Sequence, residues 1–566
     1  MGVSLMFALQ IALERRTCAL TPIVKVVSVP SILSRQSGNR AKYGLDCNFI
    51  SDLEGSYTKT SFQVYLIQYE YMGHKYILNH YYTLRHDQKR SYIMSQGDGF
   101  NKKPFPVNVG WMSRIHPAYA MMLSFFSEPI DLSIACSNIA DFFQLPIDGI
   151  KDFICNLLSA EEPTYTTLDG STSGFPINLI IEADKEFTPR IKYSPEEFKF
   201  EELDFKTTRM FLAPISIVFM PNNNCITDCI YCYADTKTKP TQMSFDQIKT
   251  FVREAKELKV RDVMITGGDF FMYRNWSELL HLLIEEGYAP DLISTKVPLS
   301  PQIIETFEQF NIRLQISVDS LSSSITQKVL HVNENYSRNM RQALKDINAS
   351  SIRFQVATVL TNINDSIKNL EEVAHFLKDL DRLERWEIRV AFRSLYSKEN
   401  FESIKSNRNQ ISTIEKWIEL KQKNFPTEIL WSPDDDVKYK KSVGGSAKFE
   451  GPICSANMSN MIILPDGAVS VCEQLYWNEN FIIGDICKNT IKEVWSSSKA
   501  IGLWKRKQSS ITPQSPCRTC SDFTSCFQAS NRCYANIMKA YGMENFDYPD
   551  PRCVLAPDFI NTITHE

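Results

Sequence analysis

The strongest constraint on the fold is an alternation of short apolar runs with amphipathic segments between residues 215 and 392. The runs that resemble strands are ISIVFM, DVMITGG, APDLIST, IRLQISVD, IRFQVATVL and RWEIRVAF. Segments such as SFDQIKTFVREAKEL and SPQIIETFEQF, whose apolar residues recur at helical spacing, lie between them. Strands that are mostly followed by helices indicate a parallel sheet with both faces covered. Right-handed crossovers would curl it, so we predict an α/β fold with a partial (β/α)6 TIM-type barrel over residues 211–430.

The regions on either side differ from this pattern. Residues 61–185 contain two predicted strands, in SFQVYLIQYE and HKYILNHYY, and three predicted helices, in HPAYAMMLSFF, LSIACSNIADFF and GIKDFICNLL. A Gly-rich turn signal in EPTYTTLDGSTSG then precedes FPINLIIEA. We interpret residues 61–185 as an α+β module and the charged, Pro-rich residues 186–210 as a linker. Residues 431–566 form a Cys-rich C-terminal region, and residues 1–60 receive no assignment.

Length, charge and hydropathy narrow the class of protein. A chain of 566 residues exceeds what one hydrophobic core supports, so about three or four domains are expected. The net charge of -4 provides no basic surface for nucleic acid or an acidic membrane. The longest early apolar run, VSLMFALQIAL, is too short to span a bilayer and follows no basic segment. We therefore predict a cytoplasmic protein with no nucleic-acid partner and no membrane attachment.

Cysteine usage is the main anomaly of the composition. Fifteen cysteines in a chain without an export signal are expected to be reduced, so their clustering favours metal binding over disulfides. Five are scattered and are interpreted as small buried apolar residues: Cys18, Cys47, Cys136, Cys155 and Cys487. Ten fall into two groups: Cys225, Cys229 and Cys232, then Cys454, Cys472, Cys517, Cys520, Cys526, Cys533 and Cys553.

The first group lies on the loop between the first predicted strand and the first helix of the α/β region, where barrels of this kind carry their chemistry. Thiolates hold iron–sulfur clusters, and three of them would leave one iron of a four-iron cluster without a protein ligand. A substrate or cofactor can coordinate there. Structural zinc is the alternative, but it requires a fourth ligand, and neither flank of Cys225–Cys232 supplies a cysteine or a histidine.

The spacing of Cys225, Cys229 and Cys232, with the aromatic Tyr231 before the last cysteine, resembles the CxxxCxxC signature of the radical S-adenosylmethionine (radical SAM) superfamily. The resemblance implies a 4Fe–4S cluster whose open iron chelates the amino and carboxylate groups of S-adenosyl-L-methionine. Reductive cleavage then gives a 5′-deoxyadenosyl radical that abstracts a hydrogen atom from the substrate. The cofactor carries this chemistry, while the protein positions it.

Weaker signals follow later strands of the same region. Gly267, Gly268 and Asp269, in ITGGDFF, resemble the family's GGE motif, which contacts the methionine amino group; a plain glycine turn is the alternative. Because Asp269 is shorter than Glu, contact through the glycine backbone is favoured over contact through the carboxylate.

Polar residues at the ends of the fourth and fifth strands are further candidates. Ser317 and Asp319 share one face of the fourth strand and look like the family's ribose-contacting residues, although a helix N-cap is the alternative. Thr358 and Asn362 are candidate cofactor neighbours at the fifth strand.

The seven later cysteines resemble the SPASM extension of the family, which usually holds two auxiliary 4Fe–4S clusters. Cys454 precedes Gly467 and Cys472 at the family's spacing, and the segment GDICKNTIKEVW resembles the short helix after its hairpin. The resemblance groups the seven as follows: Cys517, Cys520, Cys526 and Cys553 around one cluster, and Cys454, Cys472 and Cys533 around the other.

Four features of this region depart from the pattern or are left open. Cys526 and Cys533 are farther apart than in the family. The fourth ligand of the second cluster is not evident, with Cys487, a substrate group or water as alternatives. Zinc is the alternative for the CxxC pair. Glu473 stands where some members carry an acid proposed to take a proton from substrate, and a solvated surface carboxylate is the alternative.

SPASM radical enzymes mostly modify peptides or proteins, so the resemblance implies a peptide maturase. The α+β module looks like the winged-helix module that holds a leader peptide, in which an extended segment adds to a sheet edge. The expected partners are a peptide or protein substrate and an electron donor such as flavodoxin or ferredoxin. The alternatives are a sulfatase maturase that forms formylglycine and a non-catalytic iron–sulfur or zinc scaffold. An RNA-modifying radical enzyme is disfavoured by the net charge.

Overall fold

The computed structural model describes residues 74–96, 106–183, 191–397, 399–433, 453–528 and 532–565. They form two compact units: the described residues from 74 to 205, apart from Gln96, and those from 206 to 565. The predicted strand in SFQVYLIQYE, the segment 1–60 and the scattered Cys18 and Cys47 lie outside the described residues. No helix in the described part of the chain is long and apolar enough to cross a bilayer.

The first unit contains three small antiparallel sheets and three helices. Its strands are β1 (Lys75–Leu78), β2 (Tyr82–His86), β3 (Ser91–Ser95), β4 (Met112–Ile115), β5 (Ile130–Asp131), β6 (Thr164–Leu168), β7 (Ser171–Phe175) and β8 (Ile180–Glu182). They pair in the orders β5-β1-β8, β2-β3-β4 and β6-β7. The helices are α1 (Pro117–Ser124), α2 (Leu132–Phe143) and α3 (Ile147–Leu158). The three predicted helices are thus confirmed.

Local sequence explains the elements of this unit. Asp169 (φ 49°) and Gly170 (φ 72°) form the left-handed turn between β6 and β7 that the Gly-rich signal predicts. The carboxylate of Asp131 accepts from Ser133 N at 2.8 Å and begins α2. The helices bury their apolar faces in one core, to which Phe198, from the predicted linker, also contributes.

The second unit contains the six predicted strands and a seventh. They are β9 (Ser216–Phe219), β10 (Asp262–Ile265), β11 (Leu292–Thr295), β12 (Arg313–Ser317), β13 (Phe354–Leu360), β14 (Leu383–Val390) and β15 (Glu428–Ser432). β9 pairs parallel with β10, and β11 to β15 form a parallel sheet in chain order. The α/β class and the strands of the predicted partial barrel are confirmed.

Helices separate most of these strands, as the alternation predicts. They are α4 (Phe245–Glu257), α5 (Trp276–Glu285), α6 (Pro301–Glu308), α7 (Ser323–Leu330), α8 (Tyr336–Ala349), α9 (Ile367–Leu377), α10 (Phe401–Ile404) and α11 (Arg408–Gln422). α4 begins with a capping box, in which the side chains of Ser244 and Gln247 bond each other's backbone N–H.

The Cys-rich region continues the sheet of β9 and β10. Its strands are β16 (Asn460–Ile463), β17 (Ala468–Ser470) and β18 (Ile482–Asp485), and its helices are α12 (Ile491–Trp495), α13 (Ser498–Trp504), α14 (Phe523–Gln528) and α15 (Tyr534–Tyr541). β16 pairs parallel with β9, so the sheet has the order β10-β9-β16-β17-β18. The helix expected in GDICKNTIKEVW is α12, which Thr490 and Glu493 cap.

Candidate active site

A cavity of about 400 Å³ lies where the parallel strands of the second unit end. Its wall includes these residues singled out from the sequence: Cys225, Cys229, Tyr231, Cys232, Gly267, Gly268, Asp269 and Ser317. They come from the loops after β9 and β10 and from the end of β12. Ligand sites of parallel α/β folds lie at this edge, because the loops that follow the strands converge there.

Asparagines hold the start of the cysteine loop. Asn222, which is fully buried, donates from Nδ2 to Asp269 O at 3.1 Å and accepts at Oδ1 from Asn224 N at 2.7 Å. Farther along, Asp228 N donates to Leu330 O at 2.9 Å. The loop that carries the cysteines is therefore fixed at its start and again within the triplet.

The start of the cysteine loop packs directly against the backbone of Gly267 and Gly268. A Cβ atom added to Gly268 would stand 2.2 Å from Asn224 O and 2.6 Å from Asn223 C. Gly268 N donates to Asn222 O at 3.0 Å, and Asp269 N donates to Asn224 O at 2.6 Å. Only a residue without a side chain permits this approach of two backbones. The pair thus has a structural task in addition to lining the cavity.

The donor set of the cavity suits an iron–sulfur cluster. Burial raises the pKa of the Cys229 thiol to about 11, and a bound metal would instead take the thiolate. Among the residues described, no three His, Cys, Asp or Glu side chains lie close enough together to bind one metal ion. The thiolates that hold an iron–sulfur cluster bind different iron atoms, and all three cysteines line this cavity. Three cysteines on one cavity wall therefore fit such a cluster.

Lys296, which the sequence reasoning missed, lies beside the cysteines. It follows β11 and lines the cavity, and its Nζ donates to Asp319 Oδ2 at 3.0 Å. Tyr231 OH donates to the same carboxylate oxygen, and the ammonium lies 5.6 Å from the centre of the Tyr231 ring. The available signal was a lysine directly after the predicted strand in APDLIST.

Asp269 is occupied by hydrogen bonds from the protein. Its carboxylate accepts from Thr295 Oγ1 at 2.7 Å and 2.8 Å, from Lys296 N at 2.7 Å and from Phe271 N at 3.2 Å. Burial raises the pKa of Asp269, and these hydrogen bonds oppose the rise. The side chain thereby joins the end of β10 to the end of β11.

The other polar candidates divide into two groups. Ser317 lines the cavity, whereas Asp319 is almost fully buried and, besides its partners above, accepts from Val359 N at 2.9 Å. The Thr358 hydroxyl donates to Val318 O at 2.6 Å, and Asn362 Nδ2 donates to Ser403 O at 2.8 Å. Both of these side chains are thus engaged with other parts of the protein.

Four C-terminal cysteines meet at a second, smaller cavity. Its wall includes Cys517, Cys520, Cys526 and Cys553. Arg532 also lines this cavity, and its Nη2 lies 3.8 Å from Cys517 Sγ. This set, drawn from α14 and the segments on either side, is the one that the family resemblance grouped.

Cys454, Cys472 and Cys533 are also neighbours. Burial raises the pKa of Cys472 to about 12, and the nearby thiols of Cys533 and Cys454 contribute to the rise. Asp550 Oδ2 accepts from Cys533 N at 2.9 Å. Cys487 lies elsewhere, two residues after the end of β18, where its Sγ is 3.6 Å from Asp466 O.

Glu473 is adjacent in sequence to a C-terminal cysteine and close enough to a residue of the first cavity to affect its pKa. It follows Cys472 directly, it is half-buried, and burial raises its pKa. Burial is the main reason that the pKa of Tyr233, a residue of the cavity wall, is raised, and the charge of Glu473 adds to the rise. The carboxylate is therefore near the cavity although it is not part of the wall.

Two family models match the chain. The Radical SAM superfamily matches residues 219–377, and the SPASM iron–sulfur cluster-binding domain matches residues 454–521. The first match covers the cysteine triplet and the glycine pair. The second begins at Cys454 and ends just after Cys520.

Two relatives match over most of their own length. Mycofactocin maturase MftC of Mycolicibacterium smegmatis is 21% identical over 60% of this chain and 83% of its own. The crystal structure of SuiB from Streptococcus suis matches 85% of this chain and 100% of that chain, with a TM-score of 0.55 and 15% identity. SuiB bound to S-adenosylmethionine matches 83% of this chain and 98% of that chain, with a TM-score of 0.56 and 16% identity. SuiB bound to the precursor peptide SuiA matches 84% of this chain and 98% of that chain, with a TM-score of 0.55 and 15% identity.

Proposed function

Because the chain is a radical SAM enzyme with a C-terminal SPASM iron–sulfur domain, we propose that it is a peptide maturase. The observation that carries the proposal is that one compact unit brings Cys225, Cys229 and Cys232 to a cavity and gathers seven further cysteines in its C-terminal part. Two comparisons support it: MftC is named a maturase, and SuiB has been crystallised with a precursor peptide.

Each part of the first site has a proposed task. Cys225, Cys229 and Cys232 would hold the 4Fe–4S cluster, with S-adenosylmethionine at its open iron. When bound, the cluster and S-adenosylmethionine together supply a 5′-deoxyadenosyl radical that removes hydrogen from the substrate. The backbone at Gly267 and Gly268 would contact the methionine end of the cofactor. Ser317 and Tyr231 line the cavity and would contact the cofactor, Ser317 at its ribose, whereas Asp319 is not part of the wall and would hold Lys296 beside the cofactor.

We further propose that the C-terminal part holds two auxiliary 4Fe–4S clusters. Cys517, Cys520, Cys526 and Cys553 share one cavity and would hold the first. Cys454, Cys472 and Cys533 are mutual neighbours and would hold the second. Cys487 is not proposed as its fourth ligand, because the contacts of Cys487 are with Asp466 and Asp485.

The substrate-facing roles are proposed from position. Glu473 would take a proton from the substrate, since it lies near the cavity residue Tyr233. The first unit would bind the leader segment of the peptide by strand addition, which relies on main-chain hydrogen bonds. A flavodoxin or ferredoxin would supply electrons, in the cytoplasm.

The first experiment tests the radical centre. Cys225, Cys229 and Cys232 are replaced together by Ala, and formation of 5′-deoxyadenosine from S-adenosylmethionine is measured with dithionite under anaerobic conditions. We expect the triple variant to lose this activity and Cys487→Ala to retain it. Continued cleavage by the triple variant would overturn the proposal.

The second experiment tests the substrate class. The protein is co-expressed anaerobically with short reading frames adjacent to its gene, and the peptides are analysed by mass spectrometry. A mass decrease that corresponds to lost hydrogen, absent with Glu473→Gln, would identify an oxidative cross-link. A Glu473→Gln variant that modifies the peptide at the rate of the unaltered enzyme would remove Glu473 from the mechanism.

Iron content separates the proposal from a scaffold role. All three clusters would give roughly twelve irons per chain, whereas zinc at the CxxC pair would leave fewer. Replacing Cys517 and Cys553 by Ala should remove about four irons and leave S-adenosylmethionine cleavage measurable. Unchanged iron in this variant would contradict the assignment of the four-cysteine cavity.

A further inference from the structure

We infer that Lys296 favours the reduced state of the cluster held by Cys225, Cys229 and Cys232, with Asp319 and Tyr231 as the residues that position its ammonium group. This inference rests on the proposed function, because it requires a cluster at the three cysteines. It assigns to a lysine after β11 a role that neither the cysteine spacing nor the glycine pair indicates.

The backbone of Lys296 is fixed on both sides. Its N–H donates to Asp269 Oδ2 at 2.7 Å, and its carbonyl accepts from Tyr336 OH at 2.7 Å. These bonds come from the loop after β10 and from the start of α8. The side chain therefore begins from a defined point on the cavity wall and is not a mobile surface lysine.

The ammonium group is fixed by a buried carboxylate. Only 16% of the Lys296 side chain and 1% of the Asp319 side chain are exposed, so water screens their attraction weakly. Asp319 is itself held by Val359 N at 2.9 Å and by Tyr231 OH. Because both oxygens of Asp319 have protein donors, the carboxylate cannot turn away, and Lys296 is held with it.

The arrangement places the positive charge of the ion pair, and not the negative one, on the cavity wall. Lys296 lines the cavity together with Cys229, whereas Asp319 is not part of the wall. An ammonium has three donors, and among the described residues one of them, from Lys296 Nζ to Asp319 Oδ2, is used. The cavity side is therefore the positive side of the pair.

This polarity has a consequence for reduction. One electron enters from a one-electron donor, no bond of the protein forms or breaks, and the negative charge at the three cysteines increases. A nearby positive charge stabilises that state, and a nearby negative charge destabilises it. Removing the charge of Lys296 should therefore lower the midpoint potential, and removing the charge of Asp319 should raise it.

A purely structural ion pair would behave differently. Its loss would loosen the site in either variant, so Lys296→Met and Asp319→Asn would change the potential in the same direction or leave it unchanged. Opposite changes require that the two charges act directly on the redox centre. Lys296→Arg keeps the charge and is the matched control.

The test is a redox titration with dithionite of the full-length, anaerobically reconstituted protein, followed by electron paramagnetic resonance. The signal that changes when S-adenosylmethionine is added identifies the relevant cluster. At a fixed potential, we expect the ratio of reduced to oxidised cluster to fall on the order of tenfold in Lys296→Met, which is about 59 mV for one electron. Asp319→Asn should change this ratio in the opposite direction, and Lys296→Arg should resemble the unaltered protein.

The outcomes separate this inference from the proposed function. If the triple cysteine variant retains the signal that responds to S-adenosylmethionine, the proposed function fails. If that variant loses the signal but the two charge variants shift the potential equally or not at all, only the inference about Lys296 is overturned. If Lys296→Met fails to bind iron, the isosteric variant Asp319→Asn still tests the inference. A midpoint potential of Asp319→Asn that is lowered or unchanged would contradict it.

Discussion

Replacing Gly268 with Ala would drive a methyl group into the backbone of the cysteine loop. The new Cβ would lie 2.2 Å from Asn224 O and 2.6 Å from both Asn223 C and Asn224 N. Non-bonded heavy atoms pack at about 3.5 Å or more, so one of the two backbones has to move by about 1 Å. Both are backbone segments joined by hydrogen bonds, so no flexible side chain can absorb the movement.

The magnitude follows from these contacts. Overpacking of this kind costs about 2 kcal/mol, and loss of the bond from Gly268 N to Asn222 O, 3.0 Å in the structure, adds about 1 kcal/mol. These two costs lower the free energy of unfolding. Separately, a displacement of about 1 Å in a catalytic centre corresponds to roughly a 100-fold loss of rate. We therefore expect a loss of about 100-fold in S-adenosylmethionine cleavage, with less iron at the first cluster.

The assay is 5′-deoxyadenosine formation with dithionite, together with iron content. Gly502→Ala is the matched control, because no atom lies within 4 Å of its added Cβ and the position is inside α13. Ala stabilises a helix by about 1 kcal/mol relative to Gly, so this control should retain full activity. If Gly268→Ala cleaved S-adenosylmethionine as fast as Gly502→Ala and bound as much iron, the close approach of the two backbones would not be required.

Two further predictions concern stability. Burial lowers the pKa of His116 to about 4. Between pH 6.5 and pH 4 the unfolded chain therefore binds a proton that the folded chain excludes. The first unit should lose up to about 3 kcal/mol of stability as the pH falls through this range. His116→Asn, which keeps an acceptor for Ala118 N, should flatten this pH dependence in thermal unfolding of the full chain. An unchanged dependence of stability on pH would show that His116 is not its cause. Arg209 is buried, donates to Asn457 O at 2.8 Å and to Trp495 O at 2.6 Å, and stacks on Trp495. Arg209→Met should lower the free energy of unfolding of the second unit by about 2 to 4 kcal/mol in a denaturant titration, because two buried carbonyls lose their donor; equal stability would show that water replaces the guanidinium.

Local sequence determined the secondary structure and the type of chemistry. The six strands and the three N-terminal helices were predictable because apolar residues recur with the period of each element. The turn at Asp169 and Gly170 was predictable because few residues adopt positive φ readily. The three cysteines could be related to iron because the spacing along one loop limits which metal centre that loop can surround.

Only the tertiary structure decided which distant residues meet. β16 pairs with β9 although more than 200 residues separate them, and no periodicity encodes a partner strand. Lys296, Asp319 and Tyr231 belong to three different loops and form one hydrogen-bonded group only because parallel strands end at the same edge of the sheet. The sequence could suggest that Gly267 and Gly268 contact a cofactor, but their contact with Asn222 and Asn224 depends on how two loops pack. Spacing along the chain is a local property, whereas charge placement and close backbone approach arise from long-range packing.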